Sequence, residues 1–207
     1  MKVAVIDYGV GNLASVRRAL EDVGADSFLA AHPAALHDAN RVVLPGVGAF
    51  SECMNRLVDG GWVEALNESV VARGKPLLGI CLGMQLLAST GEEGGAASGL
   101  GLVPGRVLRL EDVGCALRVP HVGWNDVSHR PDSVLFGVIP DAADFYFVHS
   151  YAFLPDREES AVATVNYGAQ VVAAVESGNV FGCQFHPEKS SKAGRRLLRN
   201  FVDYVPC

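Results

Sequence analysis

Residues 2 to 7, KVAVID, form a short apolar run of the kind a buried strand requires. After a glycine-containing break, apolar residues recur at helical spacing at Leu13, Val16, Leu20 and Val23; Asn12 can cap that helix and Gly24 can end it. A second short strand is expected near residues 26 to 30. A third, at 41 to 44, runs into PGVG at 45 to 48 and is followed by helical stretches at 49 to 59 and 62 to 73, both ending near glycine. KPLLGI at 75 to 80 is another continuous apolar strand, and beyond Cys81 the positions Met84, Leu86 and Leu87 return to helical spacing. Alternating strands and helices predict an α/β fold, with a mostly parallel sheet and helices on both faces.

The glycine-rich stretch TGEEGGAASGLG at 90 to 101 reads as a loop. After it the pattern changes. GRVLRL, DFYFVHSYAF, AVATVNYG and QVVAAVESGNVFGCQF are strand-like, and the last reads as a hairpin turning at Ser177, Gly178 and Asn179, so the C-terminal half should add a smaller antiparallel sheet or hairpins. A final helix over 190 to 205 carries Leu197, Leu198, Phe201 and Val202 on one side, with Arg195, Arg196 and Arg199 around it as a solvated face.

At 207 residues, 49% hydrophobic and 19% charged, with no repeat or low-complexity run, the chain suits one domain spanning 1–207. A net charge of -6 argues against a phosphate-backbone binder and so against nucleic acid as a partner. The apolar run at the N-terminus is too short for a signal-peptide core. PLLGICLGMQLLA falls short of a membrane span, so no membrane role is expected and the chain is read as cytoplasmic. Five cysteines, at 53, 81, 115, 183 and 207, form no CxxC pair and suit reduced thiols in that compartment. Neither they nor His32, His37, His121 and His129 show metal-ligand spacing, so no metal is expected. GVGNLA at 9 to 14 matches a permissive dinucleotide loop, but FLAAHP lacks the acid that would hold a ribose, which argues against NAD.

Three segments carry candidate chemistry. GICLG at 79 to 83 lies between an apolar strand and a helix, the setting of a nucleophile elbow with cysteine in place of serine. There the helix N-terminus would favour the thiolate and present N–H groups to an anion. The competing reading is a buried structural cysteine. In HPE, at 186 to 188, residues two apart on an extended segment point the same way, so Glu188 could orient His186; the alternative is a surface turn. PGVG could supply an oxyanion donor from outside the elbow, or serve only as a strand-to-helix turn. Cys183 alternates with Gln184 and faces the same way as Phe185, which assigns it to core packing.

Together PGVG, GICLGMQLL, FVHSY and QFHPEKS, in order along nearly the whole chain, resemble the class I, triad-type glutamine amidotransferases. That resemblance implies a three-layer flavodoxin-like fold, Cys81 as nucleophile, His186 as base and Glu188 as orienting acid. It places an oxyanion hole at the N–H of Leu82 and near Val47, and a glutamine pocket at Gly46, Gly48, Gln85, His149, Ser150 and Tyr151. No cofactor is implied. IDYGVGNLASV, GLGLVPG, PHVGWN and FYFVHSY further resemble the glutaminases that serve a (βα)8-barrel cyclase of histidine biosynthesis. They imply a heterodimer, with Tyr146, Lys189, Trp124 and Asn125 toward the partner or the ammonia passage. A glutaminase serving another ammonia-using synthase, or a redox-sensing relative, are the competing readings. The glycine and alanine content of 90 to 98 departs from the family pattern.

Overall fold

A computed structural model describes residues 1–206; Cys207 lies outside them. The first half runs β1 (Lys2–Ile6), α1 (Leu13–Asp22), β2 (Asp26–Ala30), β3 (Arg41–Gly46), α2 (Phe50–Asp59), α3 (Trp62–Leu66), β4 (Leu77–Cys81) and α4 (Leu82–Gln85). The strands β5 (Thr90–Gly91), β6 (Ala97–Ser98), β7 (Gly105–Arg109), β8 (His121–His129), β9 (Ala143–His149) and β10 (Tyr151–Pro155) follow. Next come β11 (Ala161–Asn166), β12 (Gln170–Ser177), β13 (Val180–Cys183) and α5 (Ser191–Asp203).

Nine strands join in one sheet, ordered β2-β1-β3-β4-β13-β12-β11-β8-β9. The five from β2 to β13 pair in parallel and the remaining four antiparallel. The expected C-terminal hairpins therefore extend the main sheet. A second, four-stranded sheet, β10-β7-β5-β6, includes the 90 to 98 segment, which pairs as two short strands where glycine content suggested a loop. DFYFVHSYAF divides at Ser150, with β9 in the first sheet and β10 in the second.

The sheet is covered on both faces. Val16 and Leu20 of α1 and Leu197, Leu198 and Phe201 of α5 pack with Val5, Val43 and Phe181 on one side. Phe50 and Leu57 of α2, Trp62 and Leu66 of α3, and Val107 and Phe153 of the second sheet pack on the other. Burying an apolar stripe of each helix against the sheet is the main force holding these layers together. The Asn12 side chain accepts from the Ser15 N–H at 3.4 Å, capping α1, and Gly24 leaves that helix at φ +85°. After α3 the chain continues as a π turn over Asn67–Ala72, so the helical stretch from 62 is not regular α.

Candidate active site

Three neighbouring parallel strands converge at their C-terminal ends. Gly46 of β3 pairs with Cys81 of β4, and Cys183 of β13 with Ile80, so PGVG, the Cys81 elbow and the Gln184–Glu188 segment meet at one edge. Open α/β sheets commonly bind ligands at that edge. A cleft of about 350 Å³ opens there, lined among others by Gly48, Cys81, Gln85, Glu93, His149 and His186.

Cys81 turns at φ 56°, ψ -114°, a left-handed backbone that a non-glycine residue adopts only when its surroundings enforce it. The surroundings are glycines. A Cβ on Gly79 would lie 2.5 Å from the Gly83 carbonyl oxygen, and one on Gly83 would lie 1.8 Å from the Leu44 carbonyl oxygen. The turn lets β4 reverse into α4 while the thiol faces the cleft. α4 is a single turn, so its dipole is slight. His186 supplies the neighbouring cation.

Burial disfavours the charged form of His186, but the adjoining Cys81 and Glu188 favour it more strongly, raising the pKa to about 9. Its Nδ1 lies 2.8 Å from Glu188 Oε1. The pair does not form by strand alternation as expected: Pro187–Lys189 is a 3-10 turn, and that turn brings Glu188 back under the ring. The Tyr146 carbonyl accepts from the His186 N–H at 2.9 Å, and Ser190 Oγ donates to the His186 carbonyl and accepts from the Tyr146 N–H, tying the turn to β9. Glu188 Oε2 is buried with no hydrogen-bond partner among the described residues.

Leu82, the first residue of α4, has an N–H without an intrahelical acceptor. In PGVG, Tyr8 Oη donates to the Pro45 carbonyl at 3.0 Å and Cys53 Sγ to the Val47 carbonyl at 3.4 Å. Turning the Val47 carbonyl toward Cys53 points the N–H of Gly48 the opposite way, since the peptide is planar and trans. Of the six expected glutamine-pocket residues, Gly48, Gln85, His149, Ser150 and Tyr151 line the cleft. Gly46 instead packs behind the elbow, where a Cβ would come within 2.9 Å of both the Gly83 nitrogen and Tyr8 Oη.

Trp124 and Tyr146 meet edge to face with centroids 6.0 Å apart, and Lys189 Nζ lies 5.7 Å from the Tyr146 ring centre. Asn125, the next residue on β8, is turned to the opposite face and donates to the Asn166 carbonyl at 3.2 Å. Cys183 is fully buried with Phe185, as alternation requires.

Two residues of the site, buried Gln184 and cleft-lining Glu93, have no signal in the local sequence. Gln184 Nε2 lies 3.8 Å from Cys81 Sγ, and its Oε1 accepts from Gln85 Nε2 at 2.9 Å. Glu93, the single carboxylate lining the cleft among the described residues, arrives from the glycine-rich segment; burial raises its pKa against the opposing effect of the Phe50 N–H. Among the described residues no group of three or more His, Cys, Asp or Glu is placed to hold a metal ion, and no helix is long and apolar enough to cross a membrane.

The family model for class-I glutamine amidotransferases matches residues 4–205. The chain is 49% identical over 203 residues to imidazole glycerol phosphate synthase subunit HisH of Moorella thermoacetica, covering 98% of this chain and 95% of that one. It is 45% identical over 204 residues to the HisH subunit of Geobacter sulfurreducens, covering 97% of each. The solved structure of PurLQS from Thermotoga maritima superposes with a TM-score of 0.78 at 20% identity, covering 98% of both chains. A glutamine amidotransferase from Thermotoga maritima gives 0.64 at 22% identity, covering 98% of this chain and 83% of that one; at such identities the likeness concerns the fold. The cysteine elbow with its histidine and glutamate, on a fold shared with these structures and a sequence shared with those subunits, makes the chain a member of the class-I glutamine amidotransferase family and, within it, of the HisH subunits of imidazole glycerol phosphate synthase.

Proposed function

We propose that the chain hydrolyses L-glutamine through a Cys81 thioester and passes the ammonia to a cyclase subunit with a (βα)8-barrel fold, which forms imidazole glycerol phosphate. The observation that carries this reading is the strained Cys81 elbow opposite a buried His186–Glu188 pair. The Cys81 thiolate attacks the side-chain amide carbon of glutamine. The N–H of Leu82 and a backbone donor in the 46–48 segment stabilise the oxyanion. His186 gives its proton to the amide nitrogen, ammonia departs, and the C–N bond is replaced by a C–S bond. Water then adds to the thioester with His186 accepting its proton, and glutamate leaves as the thiolate returns. Glu188 keeps the imidazole oriented and favours its charged form.

Glu93 is the group suited to the α-ammonium of glutamine, because the substrate carries that charge and the cleft offers one carboxylate. Trp124 and Val122 of β8 and Val148 of the edge strand β9 expose apolar surface beside the cleft, a face suited to a docked partner. The whole span 1–207 serves as one amidotransferase domain in this reading, and the free thiols of Cys53, Cys81, Cys115 and Cys183 fit the cytoplasm. The test is synthesis by the complex with the cyclase, supplied with either glutamine or ammonium. Cys81→Ser should abolish glutamine-dependent synthesis and keep ammonium-dependent synthesis; retention of both would overturn the reading.

A further inference from the structure

His121 takes no part in the chemistry above, yet it is buried on β8 with its ring stacked between Phe147 and Tyr167, at centroid distances of 4.7 and 3.9 Å. A phenyl ring would serve that stack. Histidine adds two nitrogens, and both are engaged: Nδ1 lies 3.0 Å from His149 Nε2, and Nε2 lies 3.4 Å from Asn125 Nδ2.

The bond directions follow from the ends of the chain. His149 Nδ1 lies 2.8 Å from the Tyr151 carbonyl oxygen, which can only accept, so Nδ1 carries the proton and Nε2 of the neutral ring accepts. His121 Nδ1 must therefore donate to it, and His121 Nε2 is left to accept from the Asn125 amide. The orientation of that amide is set by its bonds to the Asn166 carbonyl at 3.2 Å and from the Asp126 N–H at 3.0 Å. Burial lowers the pKa of both histidines to about 4, joined at His149 by its neighbours His121 and His186, so both rings stay neutral at physiological pH and the order is preserved. Beyond His149, the Tyr151 carbonyl accepts a second bond, from Gln85 Nε2 at 3.1 Å. Gln85 leads to Gln184 and Gln184 to the Cys81 sulfur.

We propose that His121 is a positioning residue for the glutamine cleft: its donor to His149 fixes the His149 ring and the Tyr151 peptide that wall the cleft and brace Gln85. Both histidines are held in the Nδ1–H form, which a free imidazole does not prefer: the Tyr151 carbonyl imposes it on His149, and the His149 Nε2 acceptor imposes it on His121. A structural histidine that only filled space would impose no such form. The role rests on the glutaminase reading, but the hydrogen-bond order can be tested without activity.

The test combines nitrogen-15 NMR of the full chain with steady-state glutaminase kinetics of the complex with the cyclase subunit. Wild-type His121 and His149 should both report the Nδ1–H form. His121→Phe, which keeps the stack and removes both nitrogens, should leave His149 Nε2 without a donor, shift its nitrogen-15 resonance, and raise the KM for glutamine about tenfold with little change in kcat. His121→Asn, whose amide N–H replaces the Nδ1 donor, should bring KM back to within about threefold of wild type. An Nε2–H form for either wild-type ring, a wild-type KM in His121→Phe, or an Asn variant as impaired as the Phe variant would each overturn the proposal. A wild-type complex without glutaminase activity would instead count against the glutaminase reading, and the spectrum would still decide the hydrogen-bond order.

Discussion

In the proposed mechanism Cys81, His186 and Glu188 divide the work of one site, and the carboxylate's share can be measured. Removing its charge should cost about 10²- to 10⁴-fold in kcat, because the imidazole loses both its orientation and its stabilised cation. Glu188→Gln, assayed with the partner present, checks this; a kcat within twofold of wild type would remove Glu188 from the triad. Three buried histidines also set an acid–base signature for stability. His186 is raised from 6.5 to about 9, so its contribution is complete below pH 6.5 and is lost as pH rises through 9. His121 and His149 are lowered from 6.5 to about 4, so the stability their neutral rings retain above pH 6.5 is lost as pH falls from 6.5 toward 4. The thermal midpoint should therefore peak near neutral pH. Calorimetry across this range should also find a shallower alkaline decline in Glu188→Gln, since that variant loses one of the groups that raise His186.

At the scale of elements, the elbow depends on how closely β3, β4 and α4 approach. Gly83→Ala would drive a methyl group into the Leu44 carbonyl, at 1.8 Å, and should abolish soluble expression or lower the thermal midpoint sharply. Gly48→Ala meets nothing within 4 Å and bears only the strain of φ +101°, so it should cost about 1 kcal/mol by chemical denaturation. Glu176 illustrates a different kind of brace. Its carboxylate accepts from Ser133 Oγ at 2.6 Å and from the Val134 and Leu135 N–H groups at 3.2 and 2.9 Å, holding the turn before β9. The elbow, the hairpin at 177 to 179 and the Asn12 cap are legible in the sequence because each is decided by residues close together: a break in period, a glycine, a capping amide. Gln184, Glu93 and His121 are not, because their partners lie far off in sequence: the sheet order β4-β13 and β8-β9 places Gln184 and His121, and Glu93 comes from the β5–β6 connection of the second sheet. The HPE pair was legible in its residues and not in its geometry, since the proline begins a 3-10 turn. The division of DFYFVHSYAF at Ser150 was hidden for a related reason: an alternating pattern does not reveal that one strand run feeds two sheets.

For the whole molecule, the proposed mechanism puts the chemistry at the parallel half of the sheet and the docking face on the antiparallel extension beside it. Trp124 of β8, Tyr146 of β9 and Lys189 of the turn after β13 form one cluster. If the cyclase docks there, Trp124→Ala and Lys189→Ala should each weaken association about tenfold or more, with Trp124 the larger effect, as aromatic anchors dominate interfaces. Titration calorimetry of the two subunits reads this directly, and unchanged affinity in both would move the interface elsewhere. Asn125 belongs to the internal hydrogen-bond chain, so its replacement should alter the cleft before it alters docking. The account as a whole rests on a covalent bond at Cys81. The complex should be mixed with glutamine, quenched in acid within a turnover and analysed by mass spectrometry of its peptides. One glutamyl group on the peptide containing Cys81, absent in Cys81→Ala together with all glutamine hydrolysis, is the predicted result. A glutamyl group on another residue, or hydrolysis at the wild-type rate in Cys81→Ala, would contradict it.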